Sequence, residues 1–440
     1  MADRPPTEID EPLTEPGDSA SLWRNGSFRR LWTASTISVF GSLVTRMALP
    51  FVAIITLHAN AFDVALIRSM ELIAGLAVGL VAGAWVDRLR RRPLMIWTDL
   101  GRAVLLATIP IAFIGGWLSL AQLLVVTLLT AVLTTFFDVA DNAYLPTVVP
   151  RRDLMRANGA LAATGSVSEF AAFGSAGFLV QLLSGPLTIA IDAVSFVVSA
   201  LFLRSIKVKE PPPPPKADRE PMMREIATGL RLVIAHPVLR SLTLASMSMA
   251  GLWGVFGATW YLFALDVIGL DPATIGVIAA AGGASSLIGA VLASRLGRRV
   301  PVGKLLMGTM LMTAVGHLFI PLAPAGAPLI AIAFFLGQQL VADSAATVYD
   351  IIEVSIRQSI VGDRQLGRVN ATVHVATLLA QLVCTLGAGA LALHIGLRET
   401  TFIAPLGGVL AAIVLWFSPL RRMKVVEPEP SRSDSTPAAG

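Results

Sequence analysis

Arg46, Arg68, Glu71, Glu169 and Asp343 lie inside long apolar runs. If such a run crosses a bilayer, a charge at its centre costs at least ~2.5 kcal/mol on insertion scales. Each of these residues therefore needs a partner or a task. Arg68 and Glu71 are spaced i, i+3, which puts both on one helical face. Two readings stand: a structural pair facing the inside of a bundle, or a proton site whose affinity depends on whether Arg68 is engaged. Arg46 lies at similar depth and competes for Glu71. Glu169 is flanked by Ser166, Ser168, Phe170 and Phe173 and has no basic neighbour in the sequence. A central carboxylate without a cation takes up a proton or finds a partner on another helix. Glu169 is therefore the foremost candidate for proton coupling or for pairing with a cationic ligand. Asp343 follows Gln338 and Gln339. Trp253, Phe256 and Trp260 are spaced by three and four and share a face. They form either an interfacial aromatic belt, which suits Trp260 and Tyr261, or the wall of a cavity for apolar or cationic compounds.

A second set sits at the ends of the apolar runs. Asp138, Asp141, Asp350 and Glu353 are expected to pair with loop arginines, Arg88 and Arg91 or Arg295 and Arg298, as gate or scaffold bridges. Asp99 with Arg102, and Asp192, read as structural. His317 and His374 read as packing residues, and the single cysteine, Cys384, as a small buried apolar residue. No nucleophile, base and orienter come together in the sequence. There is no G-x-x-x-x-G-K-[ST] phosphate loop. The chain is expected to be no enzyme and to need no metal or cofactor.

The elements that must hold these residues follow from composition. The 440 residues are 55% hydrophobic and 14% charged, against about 25% charged in ordinary soluble domains. That surplus of apolar side chains calls for lipid as solvent. About twelve runs reach the roughly 20 apolar residues that a spanning helix needs. They lie near 30–57, 62–86, 93–115, 118–145, 157–183, 186–206, 239–265, 272–294, 302–322, 326–350, 369–395 and 400–419. Basic residues collect in the loops after even-numbered runs and in the flanks of both tails, whereas odd-numbered loops hold only Arg398. Both termini are therefore expected in the cytoplasm. The same distribution accounts for the net charge of +5 without nucleic acid as a partner.

Two halves are expected. Asp138-x-x-Asp141 followed by Leu154-x-Arg156-x-Asn158 returns as Asp350-x-x-Glu353 followed by Leu366-x-Arg368-x-Asn370, both segments displaced by 212 positions. Asp87-Arg88-Leu89-Arg90-Arg91 returns as Ser294-Arg295-Leu296-Gly297-Arg298. Three echoes in one order argue for internal duplication. The expected organisation is a disordered cytoplasmic tail (1–23), a six-helix bundle (24–206), a cytoplasmic linker (207–238), a second six-helix bundle (239–422) and a disordered tail (423–440). The linker carries five prolines from Pro211 to Pro215 and an amphipathic stretch, Met222 to Ala235.

With Gly83, Asp87, Arg88, Arg91 and Arg92 in the loop between the second and third runs, the chain resembles the major facilitator superfamily. That resemblance implies a latch between the two halves at this loop. Ser294 stands where Asp87 stands, so the latch charge is expected in one half only. Asp99-Leu100-Gly101-Arg102-Ala103, Leu145-Pro146, Ile191 to Phe196 and His236-Pro237-Val238-Leu239-Arg240 are similar to the branch of macrolide-efflux and enterobactin-export proteins. The resemblance implies an all-α membrane transporter with a midplane cavity lined by the second, fifth and tenth spans, hence by Glu71, Glu169 and Asp343. It implies proton-coupled efflux of small amphipathic molecules by a monomer in membrane lipid. Import or uniport by the same fold, or a non-transporting receptor, are the alternatives.

Overall fold

The structure is a computed structural model that describes residues 20–86, 88–208, 210 and 222–423. These residues are helical almost throughout and contain no strand. Helices α1 (Gly26–Phe51), α2 (Ala61–Val86), α3 (Arg91–Ile114), α4 (Leu120–Val148), α5 (Leu154–Leu183) and α6 (Gly185–Ser205) form one half. The amphipathic α7 (Met222–Ala235) follows. The other half comprises α8 (Pro237–Leu262), α9 (Pro272–Leu296), α10 (Val302–Leu322), α11 (Pro328–Ile360), α12 (Asp363–Ile395) and α13 (Leu397–Trp416). Eleven helical segments are long and apolar enough to cross a membrane. The twelfth is α2, whose 26 residues reach about 39 Å at 1.5 Å per residue. The helices overrun the apolar runs at the basic-loop end. α5 begins at Leu154, and α11 continues to Ile360. Hydropathy marks only the length that lipid touches, and a helix continues into water wherever its ends are capped.

Side chains are distributed inside out. On α3, Trp97 is 71% exposed and Ile114 76%, with Val104 and Ile111 on the same outward side. The opposite side buries Asp99 and Arg102 with Leu106 and Ile109. In water each such outward side chain would forgo roughly 1.5–3 kcal/mol of burial. Lipid removes that cost and forces the charges inward. The chain is a multi-pass membrane protein.

The duplication reappears in the backbone of all three pairs of short loops. Past α1 a π turn (Val52–Thr56) leads to His58 at φ 52°, and past α8 a π turn (Phe263–Val267) leads to Gly269 at φ 79°. The Ala59 N–H donates to the Ala53 carbonyl at 2.9 Å, and the Leu270 N–H donates to the Ala264 carbonyl at 2.9 Å. Asn60 then caps α2 and Asp271 caps α9, each accepting backbone N–H groups two or three residues on. Gly116 and Gly326 share a positive φ, as do Ser184 and Gly396.

The halves meet along two helix pairs, α5 with α9 and α2 with α12, and also where α2 touches α8. Both pairs converge at the short-loop end. A Cβ placed on Gly177 of α5 would fall 2.2 Å from the Pro272 carbonyl oxygen and 3.0 Å from the Gly276 Cα. Toward the basic-loop end the approach loosens: a Cβ on Gly174 would lie 3.6 Å from the Ala280 Cβ, one on Gly283 would lie 3.8 Å from Phe170, and one on Gly165 or Gly159 would meet no other helix within 4 Å. On the other pair, a Cβ on Gly389 would meet the Ala65 Cβ at 2.5 Å, whereas Gly79 has nothing within 4 Å. Only glycine allows the contacts at the closed end. The two halves thus form a V, shut at the short-loop end and open at the basic-loop end.

Candidate functional site

Three adjoining lobes of space lie here, two lined from both arms of the V and the third from the first half alone. The first, about 550 Å³, is lined by Arg46, Arg68, Glu71, Trp253, Phe256 and Asp350 among others. The second, about 330 Å³, is lined by Glu169, Asp343, Asp350, Trp253, Phe256 and Trp260. The third, about 320 Å³, takes in Arg46 and Glu71 again with Asp138 and Asp192. Shared walls join the lobes: Phe173, Trp253, Phe256, Tyr261 and Asp350 between the first and second, and Arg46, Leu49 and Glu71 between the first and third. Seven residues singled out in the sequence, Arg46, Arg68, Glu71, Glu169, Trp253, Phe256 and Asp343, thus face one space from both halves.

Arg68 and Glu71 form an ion pair on α2. Glu169 is exposed in the second lobe, with no ion pair within 4 Å among the described residues. Asp343 ends a π turn of α11 (Gln339–Asp343), where the Gln339 amide donates to the Ile278 carbonyl at 3.2 Å. The turn shifts the helical register by one residue. The Asp343 Oδ1 is buried without a hydrogen-bond partner. The described lining of the second lobe includes no Lys or Arg but does include Glu169, Asp343 and Asp350. An aromatic cluster forms its other side: Trp253 and Phe256 meet edge to face at 5.3 Å, and Phe256 continues to Trp260 at 5.8 Å. Carboxylates beside aromatic faces suit an apolar cation.

The belt reading of Trp260 and Tyr261 fails. Trp260 is 3% exposed and packs on Phe335, and the Tyr261 ring meets that of Phe51 at 5.6 Å. Both line the cavity because α8 turns that face toward the partner half. His317 is a packing residue, its Nδ1 2.9 Å from the Thr313 carbonyl and its ring against Trp253 and Phe256. His374, expected to pack, is exposed.

Among the described residues, no ion pair within 4 Å joins the acids at the run ends to Arg88, Arg91, Arg295 or Arg298. Glu353 pairs with Arg357 of its own helix at 3.2 Å, since an i, i+4 partner is nearer than any loop. Asp141 accepts from the Ser35 hydroxyl at 3.3 Å. Asp138 and Asp350 face the cavity. Gly83 lies within α2, Asp87 lies outside the described residues, and Arg88 is exposed. The Arg91 and Arg92 N–H groups, opening α3, donate to the Glu210 carboxylate at 2.7 and 3.3 Å. The Arg92 side chain donates to the Leu203 carbonyl at 2.9 Å and to that of Arg204, closing the end of α6. Glu210 is the anion this helix N-terminus attracts. Beside a run of five prolines, its partner could not be read from the sequence.

The Major Facilitator Superfamily model matches residues 31–347. The uncharacterized MFS-type transporter YfiS of Bacillus subtilis is 24% identical over 386 residues, 85% of this chain and 89% of its own. Macrolide efflux protein A of Streptococcus pyogenes is 23% identical over 279 residues, 61% of this chain and 66% of its own. Among solved structures, a bacterial homologue of the iron transporter ferroportin in an inward-facing state superposes with a TM-score of 0.71. That match has 18% identity and covers 90% of this chain and 98% of the other. Twelve spanning helices in two echoing halves, a cavity between them and a family model that matches most of the chain agree, and the chain belongs to the Major Facilitator Superfamily.

Proposed function

We propose that this transporter is a secondary active exporter, which carries small amphipathic molecules out of the cytoplasm and is driven by protons. The observation that carries the reading is the second lobe, where Glu169 and Asp343 stand across from an aromatic wall with no arginine or lysine in its described lining. Such a lobe suits an apolar molecule with a positive charge, or a proton in its place. With the basic loops cytoplasmic, the V opens to the inside and loads substrate there. Residues 24–206 and 239–422 then rock as two bodies joined by 207–238, and the closed end becomes the exit. Protonation of Glu169 or Glu71 biases the two states. Similarity to a macrolide efflux protein supports the direction and the substrate class. A susceptibility panel on cells with and without the gene tests both. Export predicts greater resistance to a subset of amphipathic toxicants on overexpression. Greater sensitivity would assign the chain to import.

A further inference from the structure

Arg46 is left over by the pairing around it. It sits on α1, is exposed in the cavity and lines both the first and the third lobe. Glu71 lines the same two lobes but is engaged by Arg68. Asp192 accepts from the Thr45 hydroxyl at 2.6 Å and from the Ser195 hydroxyl at 2.9 Å. Among the described residues, Arg46 makes no hydrogen bond and no ion pair within 4 Å. A guanidinium within the span of a membrane helix is costly and is kept there for a partner or a task. Its fork of N–H donors matches a carboxylate, which it can hold through two parallel bonds. Thr377 and Gln381 of α12 line the first lobe from the other half and add neutral polar groups to the same space.

The second lobe has the opposite sign, with Glu169 and Asp343 in its wall and no Lys or Arg in its described lining. Between the two stand Phe173, Trp253, Phe256 and Tyr261, which line both lobes. Phe173 lies one helical turn beyond Glu169 on α5, so the carboxylate and this shared wall occupy one helix face. Arg46 lies about 15 Å before Thr56, where the turn that continues α1 ends, and Glu169 about 21 Å before the end of α5 at Leu183, at ~1.5 Å per residue. The guanidinium is thus the deeper group, toward the shut end, and the carboxylate lies nearer the opening. Aromatic faces fill the interval. A molecule with a positive charge alone leaves Arg46 unmatched, whereas one with a carboxylate at its far end meets both charges. A site built this way rejects a molecule that lacks either group, because its own charge is then left unpaired.

We infer that the cavity takes an amphipathic zwitterion, its carboxylate held by Arg46 in the first lobe, its aromatic or apolar body against Trp253 and Phe256, and its ammonium at Glu169 in the second. That such a molecule is the cargo rests on the transport reading above, whereas the carboxylate subsite at Arg46 does not. The probe is an aminomethyl-biphenyl carboxylic acid with its two charged groups at opposite ends. Its carboxamide keeps only the positive charge, and its N-acetyl derivative only the negative. Binding of all three to the full-length protein in nanodiscs is measured by equilibrium dialysis. The zwitterion is expected to bind more tightly than either derivative by roughly tenfold or more, the scale of a hydrogen bond to a charged group. Arg46→Gln should weaken the two acids by that factor and leave the carboxamide bound as well as before or better. Glu169→Gln should weaken the two amines and spare the N-acetyl acid. If Arg46→Gln does not fold, Glu71→Gln decides: it frees Arg68 as a second cation and should tighten binding of both acids. A carboxamide that binds as well as the zwitterion, equal losses of acid and carboxamide in Arg46→Gln, or no saturable binding of the zwitterion overturns the inference and leaves export of simple cations standing. Selective binding of the zwitterion in a protein that confers no resistance would sink the export reading alone.

Discussion

Glu169 is exposed in the second lobe and has no ion pair among the described residues, so the proposed mechanism is tested first there. Glu169→Gln is expected to abolish proton-linked movement of substrate in vesicles while leaving the protein folded. Unchanged coupling would remove Glu169 from the mechanism. Arg102 is the opposite case, a buried guanidinium whose pair with Asp99 lies wholly inside the first half. Arg102→Ala leaves the Asp99 carboxylate uncompensated and is expected to destabilise by about 3–5 kcal/mol, read as a lowered unfolding midpoint in detergent. Removing both charges together, with Asp99→Leu and Arg102→Met, should recover most of the loss. That these charges would turn away from lipid was legible in the sequence, but not which would face the cavity, as Glu71 and Glu169 do, and which would pair inside one half, as Asp99 and Arg102 do. Their partners were less legible. The Arg357 bond to Glu353 and the Glu210 contact with α3 depend on side-chain rotamers and on a linker path that spacing does not encode.

The helices themselves followed from hydropathy, but their connections did not. His58 matches Gly269, and Ser184 matches Gly396, in backbone and not in side chain, so the deepest trace of duplication is hidden from residue types. These positions carry a measurable cost. Ser184 sits at φ 78° and ψ 157°, a region that essentially only glycine occupies, at about 1–3 kcal/mol for other residues. Its hydroxyl is buried without a partner. Ser184→Gly is therefore expected to raise stability by about 1–2 kcal/mol, seen as a higher unfolding midpoint. A midpoint at or below wild type would mean the turn is not strained. The glycines of α5 and α9 behave in the reverse sense. Gly177→Leu and Gly276→Leu leave each helix intact but forbid the close approach at the shut end, so each should abolish transport while expression persists. Full activity in either would show that closure there is dispensable.

For the whole molecule, twelve helices wrap one cavity that is sealed at one end by glycine contacts and splayed at the other. A rigid V could bind but not carry, so the seal and the opening must trade places. The division into two bodies was visible in the sequence from the repeated acid and arginine segments. The V itself was not, since it arises from how closely α5 approaches α9 and α2 approaches α12 along their length. Distances between paired spin labels address this directly. In a variant with Cys384 replaced by serine, one pair is placed at Met155 and Ser294, at the open end, and another at Leu182 and Val277, at the shut end, all four positions being exposed. Between neutral and acidic pH in nanodiscs, the open-end distance should gain a shorter population while the shut-end distance gains a longer one. Distances that stay single-valued at both ends, or that lengthen and shorten together, would contradict alternating access by this chain.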